Sequence, residues 1–322
     1  MKRLDFIRHS AAALGTISMA HPFLNNLTTM PKKLPSLGLG LFTLPKLLEQ
    51  DFKGTLSKLS AMGYEELEFF GPYSFSHKNN KESWAQVTPM LGFNGSGLFG
   101  ETLESAAKIL KKNKLRVPAM HTDLDTLEQH MGALAEAANV LGAKYVVLPS
   151  APPETRLNLD GYKSLAERFN KIGESAQQYG ISYAYHNHGY GLQEVNGIRP
   201  LDLILDGTDP SLVFFEMDLF WTVAGRANPV ELLKNNPGRY KMLHIKDMKT
   251  QSCFATDGGN PQEWMALFPQ LTTAGQGVID LPAILKTAIK TGVDHYFVEQ
   301  DLAPNPWVDI QNSYDYLKKL RF

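Results

Sequence analysis

Ionisable side chains close four short apolar runs in the second half of this 322-residue sequence. They are His186, Asp218, His244 and Glu299. Burying an ionisable group at the end of an apolar segment is costly unless that group is paired, hydrogen-bonded or bound to a metal. Two imidazoles and two carboxylates form a ligand set that suits Mn²⁺, Co²⁺, Zn²⁺ or Fe²⁺. Because Cys253 is the only cysteine, a thiolate-rich metal site and a disulfide framework are both excluded.

Further polar residues stand near these positions. His188 and Lys246 each follow a candidate ligand by two positions, and His121 ends another apolar run. Alternate side chains of an extended strand point to the same face, so His188 shares a face with His186, and Asn187 points away. One of the two histidines can therefore be a ligand while the other contacts a substrate or orients the first. A single histidine at such a position is more often a structural group, so the argument depends on several strands converging.

The elements that would position these residues alternate regularly along the chain. Eight apolar or aromatic runs predict strands, at residues 36–42, 64–70, 115–120, 144–149, 181–186, 212–217, 240–245 and 294–299. Amphipathic stretches predict helices, near residues 47–61, 102–113, 124–141, 159–179, 199–206, 228–236, 280–291 and 307–320. Glycines just past four helical stretches fit the usual end of a helix before a strand: Gly63, Gly142, Gly180 and Gly292. Strands that alternate with helices favour a parallel sheet.

Eight strand–helix units favour a closed (β/α)8 TIM barrel over a doubly wound sheet. No change in composition divides residues 30–322, which are therefore predicted to form a single domain. The carboxyl ends of neighbouring barrel strands lie side by side at the mouth, where barrel enzymes build their active sites. The four candidate ligands end predicted strands 5 to 8, so we expect them to converge on one point.

Two predicted connections are long, at residues 71–101 after strand 2 and residues 247–279 after strand 7. Both follow the carboxyl end of a strand, and loops of this length in a compact domain are usually functional or disordered. The first contains five aromatic residues: Tyr73, Phe75, Trp84, Phe93 and Phe99. They favour packing over the barrel mouth, and the alternative is an ordinary surface insertion.

Composition restricts the function classes. Hydrophobic residues make up 43% and charged residues 20%, which is typical of a soluble globular protein. The 32 Lys and Arg residues are matched by 33 Asp and Glu residues, giving a formal net charge of -1. A nucleic-acid partner is not expected, because such proteins usually carry a basic surplus.

Residues 1–29 resemble an export leader. Lys2, Arg3 and Arg8 precede a short apolar run that is too short to span a bilayer, and Ser18 and Ala20 fit a cleavage site. Residues 3–8 are similar to a twin-arginine signal, although Leu4 stands where the second arginine is usual, so both the Tat-like and the Sec route stay open. We expect export, to the periplasm, and no membrane span after the leader. The alternative is an amphipathic helix of a cytoplasmic protein.

A series of short motifs also follows a characteristic order along residues 34–320. They are Gly63-Tyr-Glu-Glu-Leu-Glu68, Tyr185-His-Asn-His188, Asp218-Leu-Phe-Trp221, Ala224-Gly225, Asn228-Pro229, Gly238-Arg239, His244-Ile-Lys-Asp247, Gly275-Gln-Gly-Val-Ile-Asp280 and Val298-Glu-Gln-Asp301. In this order they resemble the sugar phosphate isomerase/epimerase family, the xylose isomerase-like TIM barrels. The resemblance implies one divalent metal ion, commonly Mn²⁺, Co²⁺, Mg²⁺ or Zn²⁺, with ligands at His186, Asp218, His244 and Glu299.

The sequence departs from the family pattern at three places. The epimerases of the family use two metal-bound glutamates as acid and base, but here the strand-5 position holds His186, and Glu299 is the only matching carboxylate. Gly191 and Gln276 stand where glutamates are common in the family, and Glu194 is displaced from the first of these places. The first departure argues against a symmetric two-base epimerisation.

The resemblance implies a metal-dependent enzyme that removes a proton α to a sugar carbonyl, as an isomerase or epimerase or as a keto-sugar or 3-keto-glycoside lyase. In it Glu299 would be a ligand and a possible base, His188 an acid, base or substrate contact, and Lys246 a donor to substrate oxygens. His121 and Trp221 would line the pocket, because an indole face suits the C–H surface of a sugar.

The remaining assignments are alternatives. Glu68 is a candidate substrate contact as a second carboxylate, or a buried partner for an arginine. The partner is expected to be a small carbohydrate, and a homo-oligomer is possible. Two other functions compete: a sugar-binding barrel without catalysis, and an endonuclease-IV-like enzyme, which the near-zero net charge and the leader disfavour.

Overall fold

The computed structural model describes residues 33–322, so the predicted leader at residues 1–29 lies outside the described part of the chain. Eight parallel strands close into a barrel in the order β1-β8-β7-β6-β5-β4-β3-β2. Their bounds are β1 Gly38–Gly40, β2 Glu66–Phe70, β3 Arg116–His121, β4 Tyr145–Leu148, β5 Ser182–His186, β6 Val213–Asp218, β7 Tyr240–Ile245 and β8 His295–Val298. Each overlaps a predicted strand, and the predicted (β/α)8 fold is confirmed.

Helices surround the barrel and fill several of its connections. Their bounds are α1 Pro45–Gln50, α2 Phe52–Met62, α3 Lys78–Leu91, α4 Leu103–Lys112, α5 Leu124–Gln129, α6 Met131–Leu141, α7 Leu159–Gln178, α8 Pro200–Gly207, α9 Leu219–Ala224, α10 Pro229–Asn235, α11 Pro261–Leu267, α12 Leu281–Thr291 and α13 Pro306–Leu317. Gly63, Gly142 and Gly292 end α2, α6 and α12 with positive φ angles of 103°, 78° and 91°, a conformation that glycine adopts at little cost. Within residues 33–322, no helix has both the length and the apolar character needed to cross a bilayer.

Side chains that point into the barrel form its inner core. This cluster consists of Ala119, Tyr145, Val147, Ala184, Met242 and Phe297. The strand register places the candidate ligands next to one another, just beyond this inner core. Asp218 pairs with His244 across β6 and β7, and His244 pairs with Phe297 of β8. Since side chains alternate along a strand, Glu299 faces the same way as Phe297, one step nearer the mouth.

The two long connections contain structure that periodicity did not predict. Residues 71–101 include the fourteen-residue helix α3. Residues 247–279 include α11 and a short antiparallel pair formed by Asp247–Met248 and Leu271–Thr272. The buried Asp247 carboxylate accepts hydrogen bonds from the backbone N–H groups of Gly275, Gly277 and Ile279, which fixes the path of the second loop. Both connections thereby form ordered walls above the carboxyl end of the barrel.

Candidate active site

The predicted site residues meet at the carboxyl end of the barrel, around a cavity of about 580 Å³. All but one of them line this cavity: Glu68, His121, His186, His188, Trp221, His244, Lys246 and Glu299. The exception is Asp218, which is fully buried and does not reach the cavity wall. The expected convergence on the barrel mouth therefore agrees with the structure.

Asp218, His244 and Glu299 lie closest together. Glu299 Oε2 is 2.8 Å from His244 Nδ1, and Asp218 Oδ2 is 3.8 Å from the same nitrogen. One ligand atom from each residue can be chosen so that all three lie within 4.8 Å of one another. His186 Nε2 lies 3.8 Å from Asp218 Oδ2 and so borders this group. Three of the four predicted ligands thus form a compact set, with the fourth beside it.

The local fold explains how Asp218 is oriented. Asp218 ends β6 and is also the N-cap of α9, where its Oδ1 accepts a hydrogen bond of 2.9 Å from the Trp221 backbone N–H. Capping by one carboxylate oxygen satisfies one of the free N–H groups of the helix and fixes the side-chain rotamer. The other oxygen, Oδ2, is thereby held toward His186, His244 and Lys246.

Two buried atoms of this group have no hydrogen bond among the described residues: Asp218 Oδ2 and His244 Nδ1. His244 Nδ1 lies at a short distance from Glu299 Oε2, but the angle does not suit a hydrogen bond. Buried polar atoms are nearly always satisfied in folded proteins, so each exception needs an explanation. Lone pairs of an imidazole and two carboxylates that point toward one place fit a divalent cation of the Mn²⁺, Co²⁺ or Zn²⁺ type.

Lys246 supplies positive charge to the same carboxylates. Its Nζ lies 2.9 Å from Asp218 Oδ2, 2.8 Å from Glu299 Oε2, and 2.9 and 3.0 Å from the two oxygens of Asp301. Burial alone would lower the pKa of Lys246, but these three carboxylates outweigh it and raise the pKa well above its usual value. The side chain is therefore a charged donor whose ammonium group is held at the floor of the cavity.

The charges around this site do not balance with Lys246 alone. Five carboxylates are buried here: Glu68, Glu216, Asp218, Glu299 and Asp301. Unpaired buried carboxylates are strongly disfavoured. His121, whose pKa is raised by Glu68 and Glu216, supplies one further positive charge, and the rest must come from a second protonated histidine or from a bound cation.

A second layer of carboxylates orients the histidines. Glu68 Oε2 hydrogen-bonds His244 Nε2, and Glu216 Oε2 lies 3.1 Å from His186 Nδ1. Each ring is thus held at one nitrogen while the other faces Asp218, the arrangement that fixes ring orientation in metal-binding histidines. The two carboxylates therefore support the candidate site from below.

His121 links these two carboxylates. Its Nε2 lies 2.7 Å from Glu216 Oε2 and 3.1 Å from Glu68 Oε2. Burial would lower the pKa of His121, but Glu68 and Glu216 outweigh burial and raise it to about 9. Burial would likewise raise the pKa of Glu68, yet His121 and His244 lower it to about 2. His121 lines the cavity as predicted and also neutralises the second layer. His121 and Glu216 also form a second group with His186 and His244, whose ligand atoms lie within 4.8 Å of one another and could hold a metal ion.

His188 lies higher on the cavity wall. Its Nδ1 is 2.6 Å from the carbonyl oxygen of Pro149, which can only accept, so Nδ1 carries the hydrogen and Nε2 keeps a lone pair. Its ring stacks against Trp264 at 4.3 Å between centroids and against Trp221 at 5.9 Å. Burial, followed by the charge of Lys246, lowers the pKa of His188 to about 3. The ring is thus a neutral hydrogen-bond acceptor at neutral pH.

One alternative from the sequence is wrong, and three contributors were not predicted. Glu68 is not the partner of an arginine, because its contacts are His121 and His244. Glu216 lies two positions before Asp218 on β6, so strand alternation was the signal that could have identified it. Asp301 lies two positions after Glu299, beyond the end of β8, where alternation gives no signal. Trp264 lies in the long connection after β7, where no periodic pattern placed it.

Comparison with known proteins places the chain among barrels of this kind. A family model described as xylose isomerase-like TIM barrel matches residues 56–320. An inosose dehydratase from Bacillus licheniformis is 25% identical over 269 residues, which cover 81% of this chain and 83% of that protein. Other inosose dehydratases, from Clostridium and Bacillus species, match over 52% to 65% of their own length.

Solved structures share the barrel. A sugar phosphate isomerase/epimerase from Parabacteroides distasonis has a TM-score of 0.67 and 26% sequence identity, over 88% of this chain and 93% of that one. The crystal structure of the IOLI protein with a zinc atom has a TM-score of 0.60 and 19% identity, over 88% of this chain and 95% of that one. At that identity the likeness to the IOLI protein concerns the fold.

Proposed function

The chain belongs to the xylose isomerase-like TIM barrel family, and from this premise we propose that it is a divalent-metal-dependent lyase that eliminates a leaving group from a keto-sugar. The observation that carries the proposal is the compact buried group of Asp218, His244 and Glu299, whose ligand atoms lie within 4.8 Å of one another at the carboxyl end of the barrel. The curated relatives named inosose dehydratase support elimination over isomerisation or epimerisation. The histidine at position 186 also argues against a symmetric pair of glutamate bases.

Asp218, His244, Glu299 and the adjoining His186 would hold the ion. A bound divalent cation makes a ketone and its neighbouring hydroxyl better acceptors of negative charge, which lowers the pKa of the C–H bond α to the ketone. Glu68 and Glu216 keep the two imidazoles in place from behind. The two imidazoles are therefore oriented in advance by carboxylates on the side away from Asp218.

The chain's own groups can then move the protons. A base takes the α proton, the C–H electron pair forms a C=C bond, and the bond to the leaving group on the next carbon breaks with its electron pair. His188 Nε2, a neutral acceptor on the cavity wall, is our candidate for the base, and Glu299 is the alternative. The charged Lys246 ammonium is our candidate for the donor to the substrate oxygens. The proton gained by the leaving group balances the one lost from carbon.

Solvent exchange tests the reaction. Metal-loaded protein incubated with keto-sugars in deuterated water should exchange one carbon-bound proton and release an unsaturated product, and Asp218→Ala should abolish both. Metal analysis of purified protein separates an enzyme from a sugar-binding barrel, because the enzyme should retain a stoichiometric divalent ion. Metal-loaded protein that exchanges no proton of any keto-sugar would contradict the proposal.

Export is a separate proposal, supported by the basic, apolar and small-residue segments of residues 1–29. Cell fractionation followed by N-terminal sequencing tests it. The expected result is a periplasmic protein that begins at His21, after cleavage behind Ala20. A cytoplasmic protein that keeps Lys2 and Arg3 would contradict it.

A further inference from the structure

The cavity above the candidate site has two chemically different halves. Its floor is polar and charged, as described above. Its outer wall on one side is a face of α3, formed by Asn80, Ser83, Trp84, Val87, Met90 and Leu91. These residues recur at the three- and four-residue spacing of a single helix face, and its outer part is entirely apolar. The helix therefore presents an apolar stripe to the space directly above the charged floor.

A second part of the cavity wall is also apolar. It comes from the connection after β7 and includes Trp264, Met265 and Phe268. Trp264 is anchored by a 2.7 Å hydrogen bond from its indole N–H to the carbonyl of Gly258, and its ring stacks on His188. The Trp264 indole thus contacts the candidate base His188 and also lines the apolar part of the cavity. An apolar group between these walls would be continuous with a sugar at the floor.

Two polar residues of the outer half are already occupied with protein partners. The Asn80 amide donates to Asp123 at 2.6 Å. The Arg156 guanidinium donates to the carbonyls of Ala151 and Gly259, at 3.0 and 2.7 Å. These contacts occupy the Asn80 amide N–H and two of the three guanidinium nitrogens of Arg156, so apolar side chains dominate the outer lining.

The lip of the cavity remains apolar where it meets solvent. Val87 is 39% exposed and Met90 is 68% exposed, and both line the cavity. Exposed apolar side chains that extend a pocket commonly mark a ligand-binding groove. At about 580 Å³ the cavity is of the size that encloses a drug-sized ligand, which is far larger than a monosaccharide.

The geometry points to a keto-glycoside substrate whose aglycone is an apolar ring, with the sugar at the charged floor and the aglycone between α3 and Trp264. This inference rests on the proposed function and specifies its leaving group. In a 3-keto-glycoside the base removes the proton at C2, a C1=C2 bond forms, and the C1–O bond breaks. The aglycone oxygen keeps the electron pair and takes a proton, so the aglycone leaves as an alcohol or phenol. Release of water, as in a dehydratase, would need no apolar wall.

The test compares two glucosides that differ only in the aglycone, phenyl and methyl. Binding of the unoxidised β-glucosides to the metal-loaded protein is measured by calorimetry, since they lack the ketone and cannot react. The phenyl glucoside should bind on the order of tenfold more tightly, because its ring loses its contact with water. The 3-keto derivatives of both are then compared for turnover.

Val87→Asp is the informative variant, since it places a charge in the apolar wall without emptying a buried position. It should weaken binding of the phenyl glucoside by about tenfold and that of the methyl glucoside by less than twofold. Val308→Asp, at an exposed position of α13 away from the cavity, is the matched control and should change neither. The phenyl preference should therefore disappear only in Val87→Asp.

Failure of this inference is distinguishable from failure of the proposed function. Equal binding of the two glucosides, or a phenyl preference that survives Val87→Asp, would overturn the inference even if the keto-sugars are turned over. A phenyl preference lost in Val87→Asp, with no turnover of either keto-glucoside, would support the ligand class and contradict the reaction. If Val87→Asp instead converts a dimer to a monomer in light scattering while the binding ratio stays, the wall is a contact between copies and the inference is wrong.

Discussion

Glu66 and Glu68 lie two residues apart on β2, point into the same barrel and are both buried, yet their surroundings differ. At the amino end, Glu66 Oε1 lies 3.0 Å from the Arg116 guanidinium and Oε2 lies 2.9 Å from His295 Nδ1, so both oxygens are paired. At the carboxyl end, Glu68 Oε2 contacts His121 and His244, while Oε1 has no hydrogen bond among the described residues.

Each glutamate contacts basic side chains, so the residue types around Glu66 and Glu68 are nearly the same. The two groups differ in how many of their buried polar atoms have hydrogen-bond partners. A closed set such as Glu66 with its two partners holds strands together and leaves nothing for a ligand. At the mouth, Asp218 Oδ2 and His244 Nδ1 have only ion-pair contacts, with Lys246 and Glu299, and lack a well-aligned hydrogen bond in the described part of the chain, while Glu68 holds His244 from behind. We infer that the mouth differs from the amino end in its clustered ligand-type atoms, because Asp218, His244 and Glu299 each bring one such atom within 4.8 Å of the others. The variants below test that distinction.

The largest effect is expected for Asp218→Asn. Asparagine is also a good N-cap, so α9 should keep its first turn, but the charge at Oδ2 is lost. Losing a ligand removes several kcal/mol of transition-state stabilisation, so turnover should fall on the order of 10³-fold and the retained metal should drop. Steady-state kinetics and metal analysis measure both. Asp51→Asn, at the N-cap of α2, is the matched control and should leave both unchanged.

A smaller loss is expected for His188→Gln. The variant removes the Nε2 lone pair of the candidate base, and such groups contribute about 10² to 10⁴-fold to rates. We expect kcat to fall by on the order of 10²-fold, with metal content retained. His130→Gln provides the comparison, since His130 Nδ1 also lies 2.8 Å from a backbone carbonyl but its ring does not line the cavity. Equal kinetics for the two variants would remove His188 from the mechanism.

These residues also indicate how far the sequence predicts the site. Each predicted ligand lies at or next to the carboxyl end of a strand, and the strands were predictable because their hydrophobic pattern is strong. The barrel fold then determines which strand ends are neighbours, so the convergence of the ligands could be predicted as well. Glu216 was missed although it shares a face with Asp218, because it lies inside an apolar run and reads as part of the strand. Helix α3 was missed because Pro89 interrupts its pattern and is normally unfavourable inside a helix. Trp264 lies on the seven-residue helix α11, and its position depends on the path of the long connection after β7.

An intermediate effect is expected for Glu68→Gln. The amide cannot accept from His121 and His244 as a carboxylate does, so the His244 ring should be oriented less firmly. Loss of such a supporting contact typically costs 10 to 100-fold in metal affinity. Competition with a chelator measures that affinity, and turnover at saturating metal should recover most of its value. If Glu68→Gln binds metal as tightly as the wild type, the supporting role is wrong.

The smallest effect on turnover is expected for Glu66→Gln. This variant tests whether the glutamate at the amino end of β2 contributes to stability and not to the reaction. Here the cost should appear in stability, because a buried carboxylate loses its charge-assisted contacts with Arg116 and His295. Arg116 is 61% exposed in its side chain and can be solvated, so we expect a loss of about 1 to 2 kcal/mol. Thermal unfolding should show a Tm lower by a few degrees, with kcat within twofold of the wild type.

Glu65→Gln is the control for that measurement. Glu65 precedes Glu66 and lies 3.7 Å from the same Arg116 guanidinium, but its side chain is 59% exposed. An exposed pair contributes little, so Tm should barely change. If Glu66→Gln instead lowered metal affinity as much as Glu68→Gln, the two ends of the barrel would be coupled through β2. The closed set at the amino end would then be part of the functional site, and the division between a structural end and a chemical end would fail.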